Sequence, residues 1–114
     1  MKNLLRFITI LFAVITLSAL MTHLFELPAK IKLSKADYQL VQGIYRGWAW
    51  LGIAEIGAIL LTFAWTIIER KEKHRYPFLL AALICFIISI AIFFAFTFPA
   101  NGATSNWTQL PVNW

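Results

Sequence analysis

The sequence is poor in charge and almost without cysteine. Charged residues make up 13% of the 114 residues, and no Asp, Glu, Lys, Arg or His occurs between Tyr76 and Trp114. So low a charged fraction excludes an ordinary soluble domain. The one cysteine, Cys85, lies inside an apolar run, which excludes an internal disulfide and a CxxC redox pair.

Long apolar runs are what the sequence does contain. Hydrophobic residues make up 61% of the chain, and the mean hydropathy is +0.75. Three stretches, at about residues 7–27, 48–68 and 77–98, reach the roughly 20 residues that a helix needs to cross a bilayer. We predict a single-domain, all-α membrane protein whose three transmembrane helices run up, down and up.

The first stretch has an alternative interpretation as a signal peptide. Lys2 and Arg6 precede it, and small residues stand at Ser18 and Ala19, as they do in cleaved leaders. The apolar run continues through Leu27, however, which is longer than the core of a typical leader. We therefore favour a membrane helix.

The basic residues predict how these helices are oriented. The N-terminus and the turn "ERKEKHRY" together hold six Lys and Arg residues, and the segment between the first two helices holds four. The positive-inside rule then places the N-terminus in the cytoplasm and the uncharged tail, residues 99–114, outside. The net charge of +5 suits anionic lipid headgroups, and no basic stripe interleaved with aromatics predicts binding to nucleic acid.

Residues 34–46 predict a further, amphipathic helix before the second span. Ser34 and Asp37 have the spacing of a capping box. Polar and apolar residues then fall on two separate helical stripes, the first Lys35, Gln39, Gln42 and Arg46, the second Leu40, Val41, Ile44 and Trp48. We expect this helix to lie at the outer interface and to run into or bend toward the second span; a solvated linker is the alternative.

Glu55 is an acidic residue inside the second apolar stretch. A carboxylate near the bilayer centre costs on the order of 2.5–3.5 kcal/mol on insertion scales, so it usually has a partner, a proton or a function. Gly52 and Ala58, three residues away on either side, allow another helix to approach closely, and we expect Glu55 to face protein. Three interpretations stay open: a protonated acid that ties two helices together, a proton-handling or ligand-binding carboxylate, and an incidental residue.

His23 and Glu26 lie three residues apart near the outer end of the first span, hence on one helix face. With Glu55 they offer one imidazole and two carboxylates, a set that suits zinc or non-haem iron. The spacing is weakly specific, so we interpret His23 and Glu26 as interfacial polar groups. We expect neither a metal nor a cofactor.

Three residues near the outer end join Glu55 as candidate ligand-binding residues. Arg46 stands beside Trp48 at the expected outer mouth, and its candidate partners are Asp37, Glu26 or an anionic lipid. Trp107 belongs to the uncharged, Trp-rich tail, which either anchors at the interface or covers an outer pocket.

Two strings, "HLFELPAKIKLSKADYQLVQGIYRGWAWLG" and "FPANGATSNWTQLPVNW", resemble a family of small bacterial integral membrane proteins known only as a domain of unknown function. That family is similar to the anthrone-oxygenase-like membrane proteins. The resemblance implies a bacterial inner-membrane location and a four-helix bundle whose last helix follows "PVNW". Because this sequence stops at Trp114, we expect either a fragment or a three-helix protein whose apolar flank needs a partner, such as a second copy.

The residues favour a non-catalytic module that binds a lipid or a small apolar ligand near the outer leaflet. The resemblance implies a second class, an oxygenase-like enzyme acting on a hydrophobic aromatic compound, with Glu55 as acid or base and His23 nearby. A cysteine nucleophile finds no support, because Cys85 has no neighbouring base in the sequence. We favour the non-catalytic module.

Overall fold

The computed structural model describes residues 1–113 and places them in helices joined by short turns, with no strand among them. Trp114, the end of the predicted tail, lies outside the described residues. In chain order the helices are α1 (Lys2–Lys30), α2 (Lys35–Gln42), a 3-10 helix (Gly43–Trp50), α3 (Leu51–Ile68), α4 (Tyr76–Ile92), a π-helical turn (Phe93–Thr97) and α5 (Phe98–Ala103). They form three helical runs that are long and apolar enough to cross a membrane, which confirms the prediction of an all-α membrane protein.

The first run, α1, continues past Pro28 to Lys30, whereas the sequence predicted an end at Leu27. A proline inside a helix removes one backbone hydrogen bond, because its nitrogen carries no hydrogen. The Ile31 amide still donates to the Leu27 carbonyl at 3.1 Å. The last turn of the helix therefore closes in spite of the proline.

The second run consists of α2, the 3-10 helix and α3, with no loop between them. Ser34 caps its start: the Ser34 Oγ accepts from the Asp37 amide at 3.2 Å and donates to the Asp37 Oδ2 at 2.6 Å. The predicted capping pair is confirmed. The 3-10 helix is eight residues long, whereas such segments rarely exceed three or four. The amphipathic segment thus runs directly into the second span.

The third run passes through a proline as well. The sequence predicted that the span ends at about residue 98, before Pro99, but the helix continues to Ala103. In front of Pro99 the helix widens into a π-helical turn, in which the Phe98 amide donates to the Phe93 carbonyl five residues back. This wider turn gives the proline ring the space that an α-helix denies it.

α3 is the central helix, because it packs against both α1 and α4. The start of α1 meets the end of α3 and the end of α1 meets the segment before α3, so neighbouring spans are antiparallel. Where α1 and α3 pack, the buried side chains are small, and a Cβ added at Gly57 would overlap the Phe12 ring. The buried small residues of the two helices are Thr9, Thr16, Ala58, Thr62 and Thr66.

Threonine can occupy these buried positions because its hydroxyl finds a partner within its own helix. Thr9, Thr16 and Thr66 each donate to the carbonyl four residues earlier, at 2.7–2.9 Å. Small residues at such positions let membrane helices approach closely. Large apolar side chains instead point outward, as Phe7 and Phe78 do with 64% and 77% of their surface exposed, which is the arrangement expected of a chain surrounded by lipid.

Candidate functional site

An aromatic cluster joins α1 to the 3-10 helix at one end of the molecule, which we call the aromatic end. The His23 ring lies 4.6 Å from the Tyr45 ring and 5.3 Å from the Trp48 ring, centroid to centroid. Tyr45 and Trp48 meet edge to face at 4.7 Å. We name His23, Tyr45 and Trp48 the aromatic cluster. Pairs at these distances stabilise by about 0.5–1.5 kcal/mol beyond their buried area.

The 3-10 winding explains why these side chains converge. In a 3-10 helix, residues three apart lie directly above one another. Gln42, Tyr45 and Trp48 have this spacing and all extend toward α1, the first to Lys30 and the other two to His23. An α-helical winding rotates each of these positions away from the previous one by about 60°. The unusual length of the 3-10 segment is therefore what builds the site.

Lys30 is a buried cation beside the aromatic cluster, with 7% of its surface exposed. Its amino group donates to the Gln42 Oε1 at 2.9 Å and to the Tyr45 hydroxyl at 3.4 Å. It also lies 4.4 Å from the centroid of the Tyr45 ring, a cation–π contact, and 3.6 Å from the Glu26 Oε2. These contacts tie the end of α1 to the segment that precedes α3.

The tail returns to this end through Trp107. Its ring lies 5.6 Å from the Tyr38 ring, and its carbonyl accepts from the Gln39 Nε2 at 3.5 Å. The turn that presents Trp107 has left-handed backbone at Ser105, Asn106 and Trp107, with φ of 49°, 54° and 63°. This conformation costs about 1–2 kcal/mol per residue.

Thr104 holds the left-handed turn in place. It is fully buried, and its hydroxyl donates to the Ala100 carbonyl at 2.8 Å and accepts from the Trp107 amide at 3.1 Å. Asn101 adds a second fixed point, because its Oδ1 accepts from the Trp107 Nε1 at 2.8 Å. The position of Trp107 is thus set by hydrogen bonds within its own turn, and its ring then contacts Tyr38.

A shallow, mainly apolar groove of about 300 Å³ lies beside Lys30 at the aromatic end. Its walls come from the last turns of α1, the turn that follows it, and α2, and they are formed by Glu26, Ala29, Lys30, Leu33 and Val41. Apolar walls with a few polar groups are typical of small-molecule sites.

Glu55 lies about two helical turns from Trp48 along the second run. Its Oε1 is buried and has no hydrogen-bond partner among residues 1–113. Within that part of the chain, Glu55 therefore forms no hydrogen bond through this atom that would tie two helices together. A buried polar atom without a partner costs about 1–3 kcal/mol, and such atoms are uncommon enough that each needs an explanation.

The other predicted residues are placed as follows. His23 and Glu26 lie near the aromatic end, but no group of three or more His, Cys, Asp or Glu among residues 1–113 is arranged to hold a metal ion with them or with Glu55. Arg46 is exposed. The ion pairs among residues 1–113 do not include Arg46, so its predicted pairing with Asp37 or Glu26 is not formed.

At the opposite end, which we call the charged end, three residues form an ion triad. The Glu69 Oε1 accepts from Arg6 of α1 at 2.6 Å, and its Oε2 accepts from Arg75 at 3.1 Å. The Glu69 side chain is 3% exposed. The hydrogen bond from Arg6 holds the pKa of the Glu69 carboxyl below its ordinary value of 4.5, with a smaller contribution from Arg75, while burial acts in the opposite direction.

Lys30 and the ion triad were not predicted from the sequence, although a seven-residue spacing in both helices points to Lys30 and Glu69. Positions seven apart lie about two turns from one another on nearly the same helix face. Along α1 this line is Thr9, Thr16, His23 and Lys30, and along the second run it is Trp48, Glu55, Thr62 and Glu69. Each line ends in a charged residue that the structure buries.

No protein-family model, curated protein or solved structure matches this chain.

Proposed function

We propose that this protein is a non-catalytic, multi-pass module of the bacterial inner membrane that binds a lipid or another small, mostly apolar ligand. We place the binding site at the aromatic end, near the outer leaflet, with the N-terminus in the cytoplasm. The observation that carries this proposal is the buried Oε1 of Glu55, which has no hydrogen-bond partner among residues 1–113 and lies about two helical turns from Trp48 of the aromatic cluster.

The chemistry of Glu55 defines what the ligand must offer. An apolar site binds specifically when a few polar groups within it are matched by groups on the ligand. Glu55 is such a group, because its Oε1 finds no partner among residues 1–113. A ligand with one hydroxyl or amino group on an otherwise apolar body supplies the missing hydrogen bond.

The aromatic end offers further groups for such a ligand. Trp48 and Trp107, the latter in the tail, are both half-buried, and aromatic rings with one polar atom suit the boundary between lipid tails and headgroups. Arg46 is exposed at the same end. An exposed cation there attracts the headgroup of an anionic lipid.

Mass spectrometry of molecules that co-purify with the protein in mild detergent tests this proposal. We expect one retained apolar species per protein, and a loss of roughly 10- to 100-fold in its retention in Glu55→Leu, since a hydrogen bond to a charged or acidic group contributes about 1.5–3 kcal/mol. Ile56→Leu changes an exposed side chain next to Glu55 in the same helix and serves as the control with unchanged retention. Equal retention by Glu55→Leu, at unchanged helix content, would contradict the proposal.

A further inference from the structure

A second groove lies at the charged end, between the start of α1 and the turn after α3. It has a volume of about 430 Å³. Its basic walls come from Lys2, Arg70 and Lys71, and its apolar walls from Ile67 and Ile68. The two isoleucines are 44% and 48% exposed and belong to the last turn of a membrane-spanning helix. The groove therefore combines cations with apolar surface at the edge of the apolar region.

The acidic residues of this groove do not cancel its positive charge. Glu69 forms part of the wall, but both of its oxygens are engaged by Arg6 and Arg75. Glu72 is the remaining acid in the groove. The ion pairs among residues 1–113 include neither Glu72 nor any of the three cations that line the groove. Three free cations thus face one free carboxylate.

We infer that this groove binds the phosphate headgroup of an anionic phospholipid. Arg70 presents a guanidinium, which pairs with phosphate oxygens through two parallel hydrogen bonds, and Lys2 and Lys71 add compact positive charges. Ile67 and Ile68 offer apolar surface to the start of the acyl chains. The site is separate from the ligand site proposed at the aromatic end, and it does not depend on Glu55.

The ion triad keeps Glu69 from offsetting the positive charge of the groove. If Glu69 were unpaired, the groove would contain two free carboxylates against three cations. Because Arg6 and Arg75 neutralise Glu69 from outside the groove wall, the lining cations remain available for an anion. Each Lys or Arg near a membrane surface contributes about a fivefold gain in binding to anionic lipid.

Native mass spectrometry of the full chain in detergent tests this inference with two lipids of identical acyl chains, phosphatidylglycerol and phosphatidylcholine. The groove variant is Arg70→Gln with Lys71→Gln. The matched control is Lys32→Gln with Lys35→Gln, which removes two exposed cations at the other end. We expect the unaltered protein to retain phosphatidylglycerol at least tenfold better than phosphatidylcholine, and the groove variant to lose about 20-fold in phosphatidylglycerol binding.

The control variant should keep the preference, and circular dichroism should show equal helix content in all three proteins. Equal binding of the two lipids to the unaltered protein would overturn the inference. An equal loss in both variants would also overturn it, because net charge rather than the groove would then attract the lipid. Soluble glycerol phosphate provides the last arm: if it displaces phosphatidylglycerol at equal concentration, the groove recognises free phosphate and not a lipid.

Discussion

α1 and the second helical run are joined at both ends of the molecule, but by different chemistry. At the charged end a carboxylate accepts hydrogen bonds from two arginines, at 2.6 and 3.1 Å. At the aromatic end His23 contacts Tyr45 and Trp48 through ring surfaces. Between the two ends the helices pack through small residues, with Phe12 against Gly57.

One pair of helical runs can thus be held in register by interactions that differ in their sensitivity to pH and salt. Ion pairs depend on pH and are screened by salt, with a screening length of about 10 Å at 0.1 M. Contacts between rings depend mainly on shape and buried area. Acid and salt therefore act chiefly on the charged end, whereas the aromatic end depends mainly on ring packing, with the His23 imidazole and the Lys30–Glu26 pair as its titratable groups.

The largest expected effect comes from breaking the aromatic end. Trp48→Ala removes both ring contacts of Trp48, so we expect the free energy of unfolding in detergent to fall by about 2–3 kcal/mol. Trp50→Ala is the control, because Trp50 is 77% exposed and its loss should change stability by less than about 0.5 kcal/mol. Denaturant unfolding followed by circular dichroism measures both, and equal effects would show that the aromatic cluster does not hold the helices.

A smaller effect is expected in the middle, where shape alone operates. In Gly57→Ala the new methyl group meets the Phe12 ring, and the forced shift of that ring should cost about 1–2 kcal/mol. At Gly52 the same added atom meets nothing within 4 Å, so Gly52→Ala should be neutral or stabilise by up to about 1 kcal/mol through its higher helix propensity. A loss of stability in both variants would argue against close packing at Gly57 in particular.

The smallest effect at neutral pH is expected at the charged end, since Gln at position 69 still accepts a hydrogen bond from Arg6. The difference in stability between Glu69→Gln and the unaltered protein should appear at acidic pH. The pKa of Glu69 is lowered in the folded protein, so its ion triad adds stability above the unfolded pKa of about 4.5, and that stability is lost as the pH falls through the lower folded pKa.

Thermal unfolding between pH 7 and pH 3 measures this loss. The unaltered protein and Glu72→Gln should both become less stable below about pH 4.5, while Glu69→Gln should show a flatter profile. In 1 M NaCl the profiles of Glu69→Gln and the unaltered protein should lie closer together, because salt screens the ion triad. Parallel profiles for Glu69→Gln and Glu72→Gln would mean that the ion triad contributes nothing to the stability of the contact between α1 and α3.

The helices themselves were predictable from the sequence. The apolar stretches gave three spans because a bilayer requires long uncharged runs, and the Ser34–Asp37 spacing gave the start of α2 because a cap needs a hydroxyl or carboxylate at that position. The helix ends near Pro28 and Pro99 were predicted too early. A proline removes one backbone hydrogen bond of a helix. A neighbouring amide or a π-helical turn can continue the helix beyond the proline, and the sequence does not show whether this happens.

The site was harder to predict than the helices. The burial of Lys30 depends on a 3-10 winding over Gly43–Trp50 that we did not predict from the sequence. The pairing of Arg6 with Glu69 joins residues 63 positions apart and depends on the register between α1 and α3. The register between two helices is set by how their side chains pack, and the amino-acid composition does not reveal it.

The 3-10 segment has a mechanical consequence for the second run. Eight residues rise about 16 Å as a 3-10 helix and about 12 Å as an α-helix. Rewinding Gly43–Trp50 would therefore shorten the rod by about 4 Å and turn α2 by about 160° relative to α3. The hydrogen bonds from Lys30 to Gln42 and Tyr45 oppose that rotation, so this buried amino group, together with the aromatic cluster, holds both the length of the second run and the rotation of α2 relative to α3.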